Sequence, residues 1–468
     1  MVVIIPVGAV FTNNNRLKPA RLFYNIWAGL AKNLRNSQSS FRSKPTPAIL
    51  PITNYQLPPV HLTQQKTAIF SFFSGSGFLD FGFESLGFNI VYVNEIFSPF
   101  IQAYRHSRQC LNLPQPEYGH CEGEEADVTR LVEGKPALHL RELMQDARKK
   151  HDIIGFIAGP PCPDFSIGGK NRGGEGDKGK LSASYIELIC QQQPDFFLFE
   201  NVKGLWRTKQ HKIFYDALKN QLVESGYVFV ERLINAIEYG VPQDRDRIIL
   251  IGFRKNLVKD MGISLDENSE MLREGIFPWS SEILYPKSEV FSNPWPDTDA
   301  FACDGLLPCP DGIPKELTVQ FWFQKNDVVN HPNAEHYFQP RAGIKRFAAV
   351  DEGDDSKKSY KRLHRWRYSP TACYGNNEVH LHPYKVRRLS VAETLAIQSL
   401  PKKFALPENM TLSNMFKTVG NGVPYLASKG IAQTIIKFLE TTEWHSELSL
   451  PINKQLELPL KFLEKTYT

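Results

Sequence analysis

Short hydrophobic runs recur along the chain from Thr67 onward, and each ends in glycine or polar residues. The runs cover residues 68–73, 89–93, 153–158, 196–199 and 248–253. Stretches with helical periodicity, including 184–192 and 212–224, lie between them. This alternation predicts an α/β fold with a central, mostly parallel sheet, in which ligands bind at the carboxyl ends of the strands.

The alternation defines the expected organisation of the chain. It predicts a leader over residues 1–66, an α/β domain over 67–254, a smaller irregular domain over 255–385, a segment over 386–440 that returns to the first domain, and a tail over 441–468. No Asp or Glu precedes Asp80, while seven Lys and Arg lie between residues 16 and 44. This composition is typical of a disordered leader or of an over-extended start of translation. The alternatives are an organellar transit segment and a short helix that contacts nucleic acid.

The composition narrows the class of protein. Hydrophobic residues make up 42% and charged residues 22% of 468 positions, as in globular proteins, and no run of eighteen apolar residues predicts a membrane span. The net charge of +5 permits a polyanionic partner without requiring one. Seven scattered cysteines argue against a disulfide framework. Cys303 and Cys309 lack a CxxC or His partner, so no metal site is expected.

Two strand ends carry residues suited to a nucleotide-like ligand. The first run leads into a glycine-rich turn with Phe73, Gly75 and Gly77, where backbone can approach a cofactor closely. Glu95 follows the second run, where an acidic residue commonly binds ribose hydroxyls. The pair alone is a weak signal.

The third run leads to Cys162 within the sequence PPCPDFS. A cysteine held between prolines at a strand end favours a reactive thiolate, although a free cysteine is usually a small core residue. A loop rich in glycine, lysine and arginine follows over residues 168–180. It is typical of a lid that closes over a nucleic-acid backbone, or of an ordinary flexible loop.

Charged residues flank the fourth and fifth runs. Glu200 ends the fourth run and could act as an acid or a hydrogen-bond partner. Arg245 and Arg247 alternate before the fifth run, so two guanidinium groups are expected on one face, able to bind phosphate or hold a base. The alternative for these arginines is a solvated edge with local ion pairs.

In this order the segments FFSGSG, PPCPDFS, ENVKG, QDRDR, RRLSVAE and GNGVP resemble the DNA cytosine-5 methyltransferase family of the prokaryotic restriction–modification type. The resemblance covers about residues 68–438 and implies a Rossmann-like methyltransferase fold that uses S-adenosylmethionine. The irregular domain over 255–385 then occupies the place of the target-recognition domain. The α/β domain over 67–254 occupies the place of the catalytic and cofactor-binding domain.

The resemblance implies a role for each matching residue of the catalytic site. Cys162 would add to C6 of a cytosine flipped out of the duplex, and Glu200 would contact N3 and the exocyclic amine. Arg245 and Arg247 would hold the flipped base and the surroundings of Glu200. Ser166 would lie near the backbone of the flipped nucleotide.

The resemblance also implies a cofactor site. Phe73 would pack on the adenine, Glu95 would bond the ribose, and Asp127 would bind the adenine amine. The other implied lining residues are Gly75, Gly77, Val128, Pro161, Leu181, Asn421 and Val423. Ser71 stands where the family often has Asp, Ile96 where an aromatic residue is common, and Pro163 where Gln is common. The first two put the tightness of cofactor binding, not the reaction, in question.

Duplex DNA is the expected partner, and a restriction endonuclease acting on the same site is a candidate second partner. A monomer in the cytoplasm is expected. Three alternatives stay open at the level of sequence: a methyltransferase of the same fold that acts on tRNA, a non-catalytic DNA-binding relative, and a structural Rossmann-like domain.

The densest basic run of the chain covers residues 357–367, with six Lys or Arg, no acid and two aromatic residues. Concentrated positive charge suits contact with phosphates, so Lys361, Arg362 and Arg365 are expected to bind DNA. The alternative is a solvated segment that faces away from DNA.

Overall fold

The computed structural model describes residues 67–161, 177–265, 269–340, 344–357, 359–372, 374 and 379–440. Its strands are β1 Thr67–Phe72, β2 Asn89–Asn94, β3 Ile153–Ala158, β4 Phe196–Val202, β5 Tyr227–Asn235 and β6 Asp246–Arg254. Its α-helices are α1 Phe78–Glu84, α2 Ser98–Leu111, α3 Gly134–Arg148, α4 Asp177–Gln192, α5 Lys209–Glu224, α6 Lys255–Asp260, α7 Lys287–Ser292, α8 Val319–Lys325, α9 Ile344–Ala348, α10 Val391–Ile397, α11 Leu412–Asn421 and α12 Tyr425–Glu440. None of these helices is long and apolar enough to cross a bilayer.

The strands form one sheet in the order β2-β1-β3-β4-β6-β5. The first four are parallel, and β6 runs antiparallel to both β4 and β5. The prediction of an α/β fold with a mostly parallel sheet is therefore confirmed. Sequence analysis missed β5, whose apolar pattern is interrupted by Glu231 and Arg232 on a strand at the edge of the sheet.

Alternate residues of each strand pack on opposite faces of the sheet, as the two-residue period of a strand requires. Ile69 of β1 lies on the face covered by α1 and α12. Phe70 lies on the face covered by α3, α4 and α5. Helices on both faces bury most residues of the strands, which explains why the runs are almost continuously apolar. The result is a three-layer α/β/α arrangement with two cores.

The part of the chain between β6 and α10 is built mainly of turns and short helices. Its described residues contribute isolated bridges such as Arg362 with Leu381, but no named strand. A third apolar cluster joins this part to the C-terminal helices, with Trp322 of α8, Leu395 of α10 and Phe416 of α11 among its members. The irregular character matches the sequence pattern, and the assignment as a separate domain remains a prediction. The predicted leader and tail lie outside the described residues.

The pairing of Gly252 with Phe197 generates a test of the sheet's packing. A Cβ at Gly252 would overlap the fully buried ring of Phe197 on the neighbouring strand. Gly252→Ala should therefore lower the free energy of unfolding in urea by roughly 1–3 kcal/mol through overpacking. Combined with Phe197→Leu, the loss should be smaller than the sum of the single losses. Additive losses would contradict the contact.

Candidate active site

The carboxyl edge of the parallel strands gathers the residues that sequence analysis singled out. The glycine-rich turn follows β1, Glu95 follows β2, Pro161 lies shortly after β3, and Glu200 lies near the end of β4. Because β6 is antiparallel, its first residues lie at this same edge, where Arg247 pairs with Val202. Five strands thus deliver functional groups to one place.

The turn after β1 is tied to the end of β2 by a carboxylate. Glu95 accepts hydrogen bonds from the backbone N of Gly75 at 3.0 Å and of Phe97 at 2.8 Å. Phe73 and Gly75 adopt positive φ angles of 51° and 57°. Burial raises the pKa of Glu95, and its backbone hydrogen bonds oppose that rise. The structure brings Glu95 and the glycine-rich turn together, as expected for one binding site.

A buried network that sequence analysis missed supports this turn. Asp80 accepts hydrogen bonds from Ser71 Oγ at 2.7 Å and from Tyr104 Oη at 2.9 Å. Burial raises the pKa of Asp80 to about 6, although both hydrogen bonds lower it. Gly77 has φ 82°, and a Cβ there would lie 2.8 Å from the Tyr104 ring. Ser71 therefore contacts a carboxylate that comes from α1, and the acid Asp80 inside the apolar sequence FLDFGFE was the signal for it.

The loop before α3 carries the predicted adenine-binding residues. Asn94 Nδ2 holds this loop through the carbonyl oxygens of Glu125 at 2.8 Å and Ala126 at 3.3 Å. Asp127 Oδ1 accepts from the backbone N and Oγ1 of Thr129, at 3.0 and 2.8 Å. The carboxylate thereby caps a 3-10 helix that begins at Val128, a buried residue.

The remaining predicted lining residues come from α4 and the C-terminal helices. Leu181 is half-buried on α4, Asn421 is exposed at the end of α11, and Val423 is buried in the first core cluster. A hydrogen bond of 2.7 Å between Ser76 and Thr418 joins the glycine-rich turn to α11. Sequence segments more than 300 residues apart therefore meet at this edge.

Glu200 and Arg247 form the charged centre of the edge. Arg247 Nε lies 2.8 Å from Glu200 Oε1, and the two side chains are 15% and 9% exposed. The other oxygen, Oε2, lies against Gly159, where a Cβ would come within 2.9 Å of it. Gly159 precedes Cys162 by three residues. Cys162, Ser166 and most of the glycine-rich loop lie outside the described residues.

The prediction that Arg245 holds the base is not supported by its position. Its side chain is only 1% exposed, and its guanidinium donates to the carbonyl oxygens of Ala372, Gly420 and Gly422 at 3.2, 3.0 and 3.0 Å. Arg245 precedes β6 rather than lying in it, so the expected alternation with Arg247 on one face does not apply. Its donors satisfy main-chain carbonyls of two loops instead.

The predicted DNA contacts of Arg362 and Arg365 are likewise not supported by the positions of these residues. Arg362 is fully buried and donates to the carbonyl oxygens of Phe347, Val350, His382 and Lys385.

Arg365 is likewise directed inward. It is 6% exposed, donates to both carboxylate oxygens of Glu352 at 2.8 and 2.7 Å, and bonds the carbonyl of Gly305. Irregular backbone leaves carbonyls without strand or helix partners, and arginine donors satisfy them. Lys361 is half-buried, and its contact with DNA stays a prediction.

The described residues contain no group of three or more His, Cys, Asp or Glu arranged to hold a metal ion.

The three-layer fold and the residues of its carboxyl edge define an α/β enzyme whose site combines a glycine-rich turn, an acid after β2 and an arginine-bound glutamate. Residues 67–437 match the family described as C-5 cytosine-specific DNA methylase. The chain belongs to this family, and the predicted enzyme class, a DNA cytosine-5 methyltransferase, is confirmed.

Individual relatives extend this match over most of the chain. The chain is 55% identical over 377 residues to Type II methyltransferase M.NmeDI of Neisseria meningitidis serogroup C, which covers 81% of this chain and 85% of that protein. It is 29% identical over 379 residues to Type II methyltransferase M.FnuDI of Fusobacterium nucleatum, with 78% and 94% covered. These similarities confirm the predicted resemblance to prokaryotic restriction–modification enzymes.

The buried position of Arg365 generates a stability test within the basic run. Arg365→Ala should lower the free energy of unfolding by about 3–5 kcal/mol, because it leaves the buried carboxylate of Glu352 without its guanidinium partner. Lys361→Ala in the same run should change it by less than about 0.5 kcal/mol. Chemical denaturation measures both, and equal effects would place Arg365 at the surface.

Proposed function

We propose that this enzyme transfers a methyl group from S-adenosylmethionine to C5 of a cytosine flipped out of a specific duplex DNA sequence, through a covalent bond between Cys162 and C6. The observation that carries the proposal is the position of Glu200. One of its oxygens is bound by Arg247, and the other lies beside Gly159, in the segment that leads to Cys162. Covalent chemistry on one base requires a nucleophile close to a group that contacts the base. A carboxylate and the segment that leads to the cysteine meet at this edge of the sheet.

The residues at the edge fit S-adenosylmethionine. Glu95 is held in place by backbone amides, and a carboxylate accepts about four hydrogen bonds, so capacity remains for ribose hydroxyls. Phe73, Asp127 and Val128 would hold the adenine. The glycine-rich turn, Pro161, Leu181, Asn421 and Val423 would line the rest of the site. When bound, the cofactor supplies an electrophilic methyl group.

Glu200 and Arg247 would act on the flipped base. The Glu200 carboxyl group would contact N3 and the exocyclic amine of cytosine, and Arg247 would fix its orientation through the bond from Nε. The base must leave the duplex, because stacking covers the face of C6 that a nucleophile attacks. Groups held in place before the base arrives cost no reorganisation during the reaction.

The covalent step would raise the electron density at C5. The Cys162 thiolate forms a bond to C6, and the electron pair of the C5–C6 double bond moves toward C5. A protonated Glu200 carboxyl group that donates a hydrogen bond to N3 would stabilise the negative charge that spreads over the ring. C5 would then take the methyl group, with S-adenosylhomocysteine as the leaving group. Loss of the C5 proton to water and departure of the Cys162 thiolate would restore the double bond.

The proposal includes a specific duplex site as substrate. The relatives named above are called Type II methyltransferases, which supports a restriction endonuclease of the same specificity as a functional partner. The part of the chain over 255–385 would recognise the target sequence.

A suicide substrate tests the nucleophile. Duplex DNA with 5-fluorocytosine at the target keeps fluorine where a proton must leave, so the wild-type enzyme should form a complex that resists denaturation. Cys162→Ser should form none and lose methyl transfer. Cys190→Ser, on α4, is the matched control and should behave as wild type. Retained methyl transfer in Cys162→Ser would contradict the mechanism.

A binding measurement tests the cofactor site. Glu95→Ala should weaken S-adenosylmethionine binding by roughly 1–3 kcal/mol, about 5–150-fold, since a charged hydrogen bond to the ribose is lost. Glu122→Ala, an exposed acid of the loop before α3, should bind as wild type. Calorimetry measures both dissociation constants. An unchanged constant in Glu95→Ala would exclude Glu95 from the site.

A further inference from the structure

The connection from β4 to α5 carries positive charge at the edge where Glu200 lies. Residues 201–215 contain four Lys or Arg and no Asp or Glu. Lys203, Arg207, Lys209 and Lys212 are all exposed. The first of these follows Glu200 by only three residues, so the charge begins next to the catalytic centre.

The connection is anchored, so its cations are held outward. Leu205 is fully buried and Trp206 is half-buried against the second core cluster. His211 Nδ1 lies 3.1 Å from the carbonyl oxygen of Gly204, and Thr208 Oγ1 accepts from the backbone N of His211 at 3.1 Å, capping α5. A fixed backbone reduces the entropy lost when these side chains meet a ligand.

Among the described residues, Lys203 is the one of these four cations that has an ion pair. Lys203 lies 3.0 Å from Asp246, which Lys287 also contacts at 2.7 Å. The side chains of Arg207, Lys209 and Lys212, in contrast, have no ion pair or hydrogen bond within the part of the chain that the structure describes. The next acid along the chain, Asp216, pairs with Lys219 at 3.2 Å.

The basic run over 357–367 behaves in the opposite way. Arg362 and Arg365 are buried, and Arg367 donates to three carbonyl oxygens, those of Pro296, Asp297 and Gly353. Three of the six Lys and Arg of that run therefore serve the fold. The described cations of the β4–α5 connection, in contrast, are exposed at the edge where Glu200 lies.

We propose that Arg207, Lys209 and Lys212 bind phosphates of the duplex that flank the target cytosine. The inference rests on the proposed function, because it takes duplex DNA as the substrate. Each cation that neutralises a phosphate releases a condensed counterion, so its contribution depends steeply on salt. The contacts carry no sequence information and position the duplex beside Glu200.

Salt-dependent binding tests this surface. In Arg207→Gln/Lys209→Gln/Lys212→Gln, the slope of log affinity against log salt should fall by about one unit per lost contact, about three in all. The KM for DNA should rise, while single-turnover methylation at saturating DNA stays at the wild-type rate. Arg207→Gln alone should lower the slope by about one unit. Circular dichroism and thermal unfolding confirm that each variant is folded.

A variant with the same net charge change is the matched control. Lys149, Lys150 and Lys259 are exposed at the opposite edge, just before β3 and after the end of β6. Lys149→Gln/Lys150→Gln/Lys259→Gln should keep the wild-type slope. A wild-type slope in the Arg207 triple variant would overturn the inference, as would an equal fall in the control.

The 5-fluorocytosine complex separates this inference from the proposed function. If the wild type and the Arg207 triple variant both form the complex at low salt but have equal salt slopes, only the phosphate contacts are wrong. If the slopes differ as expected but the wild type forms no complex, the covalent mechanism is wrong and the DNA surface stands.

Discussion

The ion pair between Glu200 and Arg247 depends on the direction of a single strand. Arg247 is the second residue of β6. It reaches Glu200 because β6 runs antiparallel to β4, with Val202 opposite Arg247. In a parallel strand the same residue would lie at the far edge of the sheet, roughly six residues or 20 Å away. The antiparallel insertion of β6 between β4 and β5 therefore assembles the charged centre.

Residues at the beginning of β6 also hold the loops around the Glu200–Arg247 ion pair in place. Arg245 donates to carbonyl oxygens of the 419–424 turn and of Ala372, so one buried side chain joins β6 to two segments distant in sequence. Asp246 receives Lys203 and Lys287. Consecutive residues thus act in different directions: Arg245 toward main chain, Asp246 toward lysines, and Arg247 toward Glu200. This explains why one short segment, QDRDR, carries so much of the site's architecture.

Sequence reasoning located the edge residues well, because strands buried on both faces are continuous apolar runs and their ends are marked by glycine and acid. It placed Glu95 and Glu200 at strand ends, where the structure has them. It missed β5 because Glu231 and Arg232 break the apolar run, and no local signal shows that an edge strand tolerates them. It missed Asp80 as a partner of Ser71, since only the fold brings a helix residue under the end of β1.

The arginines of the basic run show what a local charge pattern leaves undetermined. Positive charge in sequence predicts exposure, but a guanidinium with five donors also suits the interior of an irregular segment, where carbonyls lack regular partners. Arg362, with bonds to four carbonyl oxygens, is such a case. Between β4 and α5 the backbone is anchored by a 3-10 helix and a capped helix, so few carbonyls need outside donors. Arg207, Lys209 and Lys212 are therefore exposed rather than bonded to carbonyl oxygens of the described chain. Their charge stays available to the polyanion that binds at the active site.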